Sequence, residues 1–124
     1  KVIKKRNSNA KLLDQLLSKL YPSVILPPRL KNYTETFALY MGLFKKRDDL
    51  IKFLATKNIE CKIHYPIPLH LQKASQYLGY KRGSMPNGEF QAKHLVTIPI
   101  HQFLDSKNIK YIAKNIKIFY KKYA

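Results

Sequence analysis

Apolar residues spaced three and four positions apart predict helices in the first half of the chain. Residues 10–20 carry one such stripe, and Tyr21-Pro22 ends it because proline lacks the amide proton that a helix needs. Residues 45–57 carry a second stripe, formed by Leu50, Ile51, Phe53 and Leu54. Asn58 follows this segment and tolerates the left-handed backbone of a C-terminal cap. The pattern therefore predicts two amphipathic helices.

The last segment of the chain has the most regular stripe in the sequence. Asp105 is a good N-cap residue, and Asn108 follows it three positions later. The apolar positions after this cap are Ile109, Ile112, Ile116, Phe119 or Tyr120, and Tyr123. We therefore expect a final amphipathic helix with one buried face.

Alternation of apolar with polar or smaller residues predicts three strands. Residues 34–44 place Phe37, Leu39, Met41 and Leu43 on one face and Thr36, Ala38, Tyr40 and Gly42 on the other. Residues 59–64 alternate so that Ile59, Cys61 and Ile63 face the core and His64 ends the strand on the polar face. Residues 95–100 are the third predicted strand.

Two short helices are expected between the second and third strands. Residues 69–78 form one, closed by Gly79, and Pro86 suits the first turn of another that runs to about His94. The order of elements predicts an α+β fold, a small sheet of three or more strands with helices packed on one face. The pattern leaves the pairing direction of the strands open.

Length and composition set limits on the class of protein. A chain of 124 residues with 45% hydrophobic residues can form a single domain with one modest core. No apolar run approaches the ~20 residues that span a bilayer. Because Cys61 is the only cysteine, an internal disulfide and a cysteine-based zinc site are excluded, and the reducing cytoplasm is the natural setting. The first residue is Lys1, which favours a fragment of a longer protein or a processed terminus.

The formal net charge of +17 invites a nucleic-acid interpretation. Only Arg6, Arg29, Arg47 and Arg82 carry the planar guanidinium that reads bases and phosphates; the other basic residues are lysines spread along the chain. A solvated surface with a compositional bias explains this distribution better. A stand-alone basic module that binds nucleic acid or another polyanion is kept as the alternative.

The segment IHYPIPLHLQ, residues 63–72, contains the most varied chemistry in the chain. Pro66 and Pro68 make it stiff, and His64 and His70 lack a recognisable third and fourth ligand for a metal. A Cys61–His64 dyad is disfavoured because three steps along a strand place the side chains on opposite faces. No glycine-rich phosphate loop is present. The residues alone indicate a rigid binding loop without a named reaction.

Several short motifs, in this order along the chain, resemble one enzyme family. They are RNSNA (6–10), Arg47-Asp48-Asp49-Leu50, IHYPIPLHLQ (63–72), LGYKRG (78–83), Pro86 to Glu89 with Ala92, and IPIH (98–101). Together they resemble the sugar aminotransferases named for DegT, DnrJ, EryC1 and StrS, which depend on pyridoxal 5'-phosphate. Two departures, Asn58 for a common glycine and Gln102 for a common proline, change only local turns.

The resemblance implies a domain and a reaction. It covers essentially all 124 residues and corresponds to the small C-terminal domain of a fold-type I aminotransferase, without the N-terminal cofactor-binding domain. None of the lysines matches the residue that carries pyridoxal phosphate, so the chain alone is expected to be inactive. The complete enzyme would be a cytoplasmic homodimer that moves an amino group from glutamate to a keto sugar nucleotide, for a surface polysaccharide or glycoside. A split or degenerate aminotransferase gene is a further alternative.

The resemblance also implies which residues face the substrate. The expected substrate-binding residues are His64, Tyr65, His70, Gln72 and His101. An imidazole and a phenol can form hydrogen bonds to sugar hydroxyls or to the pyrophosphate without acting as the catalytic base. Gln72 has the alternative role of capping the following helix, and His101 has the alternative of a structural role. No catalytic, cofactor-binding or metal-binding residue is expected in this chain.

Overall fold

The computed structural model describes residues 1–123, which form a three-stranded antiparallel sheet and four α-helices. The elements in chain order are α1 (Val2–Leu17), β1 (Val24–Ile25), β2 (Tyr40–Phe44), α2 (Arg47–Ala55), α3 (Pro86–His94), β3 (Leu95–Ile98) and α4 (Ser106–Tyr123). Short 3-10 helices lie at Ser18–Leu20, Leu69–Leu71 and Lys73–Leu78. The α+β architecture expected from the sequence is therefore confirmed.

The sheet has the order β1-β2-β3, and both pairings are antiparallel. Val24 lies opposite Phe44 in the first pair, and Tyr40 lies opposite Ile98 in the second. Side chains from the sheet and from α1, α2 and α4 form one hydrophobic core. β2 is the central strand, so the structure answers the question of pairing direction that the sequence pattern left open.

The predicted strand over residues 59–64 is wrong. Only Lys62 reaches the sheet, through two backbone hydrogen bonds with Thr97 of 3.1 and 2.8 Å. Ile59 is buried and Cys61 is partly buried. The alternation of apolar and polar residues here therefore reflects packing against the core and not a continuous ladder of β-sheet hydrogen bonds. Burial raises the pKa of the Cys61 thiol to about 11, which suits a small apolar side chain and not a nucleophile.

The predicted strand over residues 34–44 is only partly correct, because just Tyr40–Phe44 pair in the sheet. The backbone of Phe37 has φ +46°, a left-handed conformation that breaks an extended chain. Tyr40, Gly42 and Phe44 point into the core. Gly42 allows this close packing, because a Cβ would lie 3.0 Å from the Phe44 ring and 3.3 Å from the Ile25 carbonyl oxygen, closer than ordinary contact.

The helices agree with the sequence pattern more closely than the strands do. Asn58 has φ +56° and ends α2 as predicted. At the start of α4, the side chains of Asp105 and Asn108 each accept a hydrogen bond from the other residue's backbone amide, at 2.8 and 3.0 Å. The predicted helix over residues 69–78 is instead two 3-10 segments, because Gln72 between them has an extended backbone. Gly79 closes the second segment with φ +73°. None of the helices within residues 1–123 has the length and apolar character needed to cross a membrane.

Candidate functional site

A cleft of about 900 Å³ lies between the loop that contains His64 and Tyr65 and the N-terminal half of α3. Most of its wall is apolar or aromatic: Pro68, Leu69, Leu78, Tyr80, Met85 and Leu95. The polar groups that reach it come from His64, Tyr65, His70, Ser75, Asn87 and Gln91. An apolar cleft of this size with a few convergent polar groups is the usual form of a small-molecule site.

The loop at the mouth of the cleft is stiff and locally strained. Tyr65 has φ +60°, a left-handed backbone that is uncommon for an aromatic residue, and it is followed by Pro66 and Pro68. Tyr65 is 73% exposed. Gln72 donates from Nε2 to the Ile67 carbonyl oxygen at 3.2 Å and so closes the loop from behind. Strained backbone that holds an exposed tyrosine at a cleft indicates a binding role.

His64 joins this loop to the sheet. Its Nδ1 atom lies 2.7 Å from the Thr97 hydroxyl oxygen, on β3. The ring is half-buried and lines the cleft. Because Nδ1 is engaged with Thr97, Nε2 at the opposite edge of the ring is the nitrogen left for a ligand. The two side chains that the sequence places first in the site, His64 and Tyr65, therefore meet at one wall of the cleft.

His70 has a different environment from His64 because it is buried and held by a carboxylate. Its Nε2 lies 3.0 Å from Oε1 of Glu89 on α3. The same oxygen accepts hydrogen bonds from the amides of Gly83, at 2.7 Å, and Met85, at 3.4 Å. One carboxylate oxygen thus connects the proline loop, the turn before α3 and α3 itself, which are three parts of the cleft wall. This arrangement explains why His70 lines the cleft without being free to turn into it.

The Glu89 carboxylate is expected to make the cleft sensitive to acid. The hydrogen bond from His70 is the main cause that holds the pKa of Glu89 below its ordinary value of 4.5, with the Gly83 and Met85 amides adding to the effect. A lowered pKa contributes stability that is present above about pH 4.5 and is lost as the pH falls through the folded-state pKa.

We therefore expect the backbone amide signals of Gly83 and Met85 to shift and broaden below pH 4.5 in the unsubstituted protein, as an NMR titration would show. Glu89→Gln should remove this transition, because the amide side chain does not titrate. Glu60→Gln is the control, since Glu60 is exposed and, among residues 1–123, forms its ion pair with Lys62. An unchanged acid transition in Glu89→Gln would contradict this assignment.

Gln72 and His101 do not reach the cleft. The Gln72 side chain is committed to the Ile67 carbonyl and makes no capping bond to the following 3-10 helix. The backbone around His101 is held against α1, where Asn9 Nδ2 donates to the carbonyl oxygen of Leu104 at 3.0 Å and to that of His101 at 3.5 Å. The exposed His101 ring packs near Phe103. The structure therefore gathers three of the five expected site residues.

Sequence reasoning missed the partners that hold the two cleft histidines. Thr97 and Glu89 bond to His64 and His70 across 33 and 19 residues of chain. Asn87 and Gln91 also line the cleft, and their four-residue separation on α3 puts them on one helix face. The predicted helix over residues 86–94 is enough to place the two residues on one face. The neighbouring sequence, however, does not indicate that this face lines a site.

The cleft lining contains no lysine, arginine, aspartate or glutamate. It therefore offers no amine to bind pyridoxal phosphate covalently and no arginine or lysine for its phosphate group, so the residues present do not fit this cofactor. Among residues 1–123, no group of three or more histidine, cysteine, aspartate or glutamate side chains is arranged to hold a metal ion. The cleft is suited to binding a neutral or polar ligand through hydrogen bonds.

The chain is similar to known proteins over most of its length. The family model described as the DegT/DnrJ/EryC1/StrS aminotransferase family matches residues 1–117. The chain is 32% identical over 114 residues to the pleiotropic regulatory protein of Geobacillus stearothermophilus, covering 92% of this chain and 30% of that protein. It is 28% identical over 95 residues to the dTDP-3-amino-3,6-dideoxy-alpha-D-galactopyranose transaminase of Aneurinibacillus thermoaerophilus, covering 77% of this chain and 26% of that enzyme.

The fold is also found among solved structures. A DegT DnrJ EryC1 StrS aminotransferase from Brucella abortus superimposes with a TM-score of 0.84 at 25% identity, over 95% of this chain and 31% of that one. The chain thus spans 30% of the length of the Geobacillus relative and 31% of the length of the Brucella chain.

Proposed function

The chain belongs to the DegT/DnrJ/EryC1/StrS aminotransferase family, and we propose that it is the substrate-facing C-terminal domain of a sugar aminotransferase that depends on pyridoxal phosphate. The complete enzyme would transfer the amino group of glutamate to a keto group on a nucleotide-linked sugar. We further propose that it acts in the cytoplasm as a homodimer, in the synthesis of a surface polysaccharide or glycoside.

The cleft beside the His64–Tyr65 loop is the observation that carries this proposal. It brings an imidazole, a phenol, the Asn87 and Gln91 amides and an apolar wall together in about 900 Å³. Hydroxyl groups on a sugar need donors and acceptors of this neutral kind, and the face of a sugar ring packs well on aromatic and aliphatic side chains. The name of the Aneurinibacillus relative, a transaminase of a dTDP-linked amino sugar, supports the same substrate class.

The cofactor would be held outside this cleft. In the complete enzyme the cofactor would supply the electron sink for the transfer, and the protein would supply binding, orientation and proton transfer. Because no lysine or arginine lines the cleft, we assign its residues to the substrate side. His64 and Tyr65 would form hydrogen bonds to sugar hydroxyls or to the pyrophosphate, and the apolar wall would limit the access of water to them.

Substitution of the two loop residues tests the proposal in the full-length protein. We expect His64→Ala and Tyr65→Phe each to lower kcat/KM for a keto sugar nucleotide by about ten- to a hundredfold, the loss of about 1.4–2.8 kcal/mol of hydrogen bonding to the substrate. The assay follows the conversion of glutamate to 2-oxoglutarate, and thermal unfolding checks that the fold is retained.

Two substitutions outside the cleft serve as matched controls. Tyr33→Phe removes the hydroxyl of a tyrosine that is 74% exposed, close to the 73% of Tyr65. His94→Ala removes a histidine on α3 whose ring contacts Phe90 and whose Nδ1 pairs with the Phe90 carbonyl oxygen. Both controls should keep kcat/KM within about twofold, the range expected for surface positions. If both loop variants kept the kcat/KM of the unsubstituted enzyme, the site assignment would be contradicted.

A further inference from the structure

Thr97 is a buried polar residue at the point where the cleft loop meets the sheet. It lies on β3, where its side chain is engaged with His64 and the residue is only 7% exposed. Its backbone pairs on one side with Met41 of β2 and on the other with Lys62, two residues before His64. The strand is thus fixed from both edges, and the Thr97 hydroxyl is a fixed point against which the His64 ring is oriented.

The hydroxyl proton of Thr97 needs an acceptor because the residue is buried, with 7% of its surface exposed. Within residues 1–123, His64 Nδ1 at 2.7 Å is the hydrogen-bond partner that the structure gives this hydroxyl. If Nδ1 carried the proton of the neutral ring, it would donate to Thr97 and leave the threonine proton without an acceptor. An unsatisfied buried donor costs about 1–3 kcal/mol. Donation by Thr97 to an unprotonated Nδ1 avoids this cost.

We propose that Thr97 is a positioning residue that holds neutral His64 in the tautomer with its proton on Nε2. His64 then presents an N–H donor to the cleft and not a lone pair. A donor suits an acceptor-rich ligand group, such as a pyrophosphate oxygen, a carbonyl oxygen or the lone pair of a sugar hydroxyl. This rests on the proposed function for its substrate, but the tautomer itself depends only on the geometry of the Thr97–His64 pair.

The tautomer can be read directly by long-range ¹H–¹⁵N NMR on the chain labelled with ¹⁵N-histidine, at a pH where the ring shifts show His64 to be neutral. His64→Gln identifies the signal among the four histidines. We expect the Nε2–H form to dominate in the unsubstituted chain and in Thr97→Ser, which keeps the hydroxyl. Thr97→Val should yield a mixture or the Nδ1–H form. Valine suits a strand, so the fold should be retained.

Two NMR outcomes would overturn the proposal: a predominant Nδ1–H form in the unsubstituted chain, or an unchanged Nε2–H form in Thr97→Val. In the full-length protein, Thr97→Val should raise KM for the sugar nucleotide by about three- to tenfold with kcat little changed, and Thr97→Ser should restore KM. A tautomer that responds as expected while KM stays constant would support the positioning role and count against the proposed substrate role of His64. The two failures are therefore distinguishable.

Discussion

Asp14→Ala is expected to lower the free energy of unfolding by about 2–3 kcal/mol, measured by chemical denaturation. Asp14 on α1 accepts two hydrogen bonds from Arg29, at 3.0 and 3.1 Å, and a third from the Tyr40 hydroxyl at 2.7 Å. Tyr40 is fully buried at the start of β2. Removal of the carboxylate leaves the buried Tyr40 phenol without its acceptor and leaves Arg29 with Glu35 as its remaining carboxylate partner. The loss of one partner costs more than the intact interaction contributes.

This cluster holds the irregular segment between β1 and β2 in place. Arg29 also contacts Glu35 and lies over the rings of Phe37 and Tyr40, at 4.9 and 5.4 Å from their centroids. Burial, together with the hydrogen bond and charge of Asp14, raises the pKa of Tyr40 well above its ordinary value, so the phenol keeps its proton as a donor. The loss of Asp14 should therefore also increase amide exchange in residues 29–39.

Glu35→Ala is the matched control for Asp14→Ala. Glu35 pairs with the same arginine, at 3.2 Å, but it is more exposed and holds no buried phenol. An exposed ion pair contributes up to about 1 kcal/mol, so the control should lose no more than that. Equal losses in the two variants would show that the buried Tyr40 contact adds nothing to stability.

The largest loss of stability is expected for Phe119→Ala, about 3–5 kcal/mol. Phe119 on α4 is 1% exposed, and its ring centroid lies 5.6 Å from that of Phe53 on α2 and 4.8 Å from that of Tyr123. Truncation leaves a cavity between α2 and α4, which pack against each other at this point. Thermal and urea unfolding should both report the change.

Two further variants make the Phe119 result interpretable. Phe119→Leu keeps most of the volume and should cost less than about 2 kcal/mol, so it stays measurable if the alanine variant fails to fold. Phe103→Ala removes a ring that is 84% exposed and should change stability by no more than about 0.5 kcal/mol. Comparable losses for Phe103→Ala and Phe119→Ala would contradict the location of the core.

Features with a local physical cause were readable from the sequence. The stripe of α4 follows from helix periodicity, and the Asp105–Asn108 cap and the left-handed Asn58 follow from the chemistry of those side chains. The order of the motifs was enough to identify the family, and the match of the family model to residues 1–117 confirms it. The helix stripe, the caps and each single motif depend on residues that are near one another along the chain.

The strands were less predictable because alternation reports burial and not pairing. Ile59 and Cys61 alternate with polar residues and pack against the core, yet only Lys62 finds a partner on β3. β1 is only two residues long, Val24–Ile25, which is too short to show an alternation of apolar and polar residues. A ladder needs a second backbone at the right place, and a segment's own residues do not specify that.

For the site, the sequence by itself determined the loop, its stiffness and the imidazole and phenol that it carries. Tertiary structure alone decided which of them meet. Thr97 turns His64 toward the cleft, Glu89 fixes His70 in the wall, and Asn9 keeps the backbone of His101 against α1. These bonds join residues far apart in the chain, so they exist only after the core has brought the sheet and the helices together.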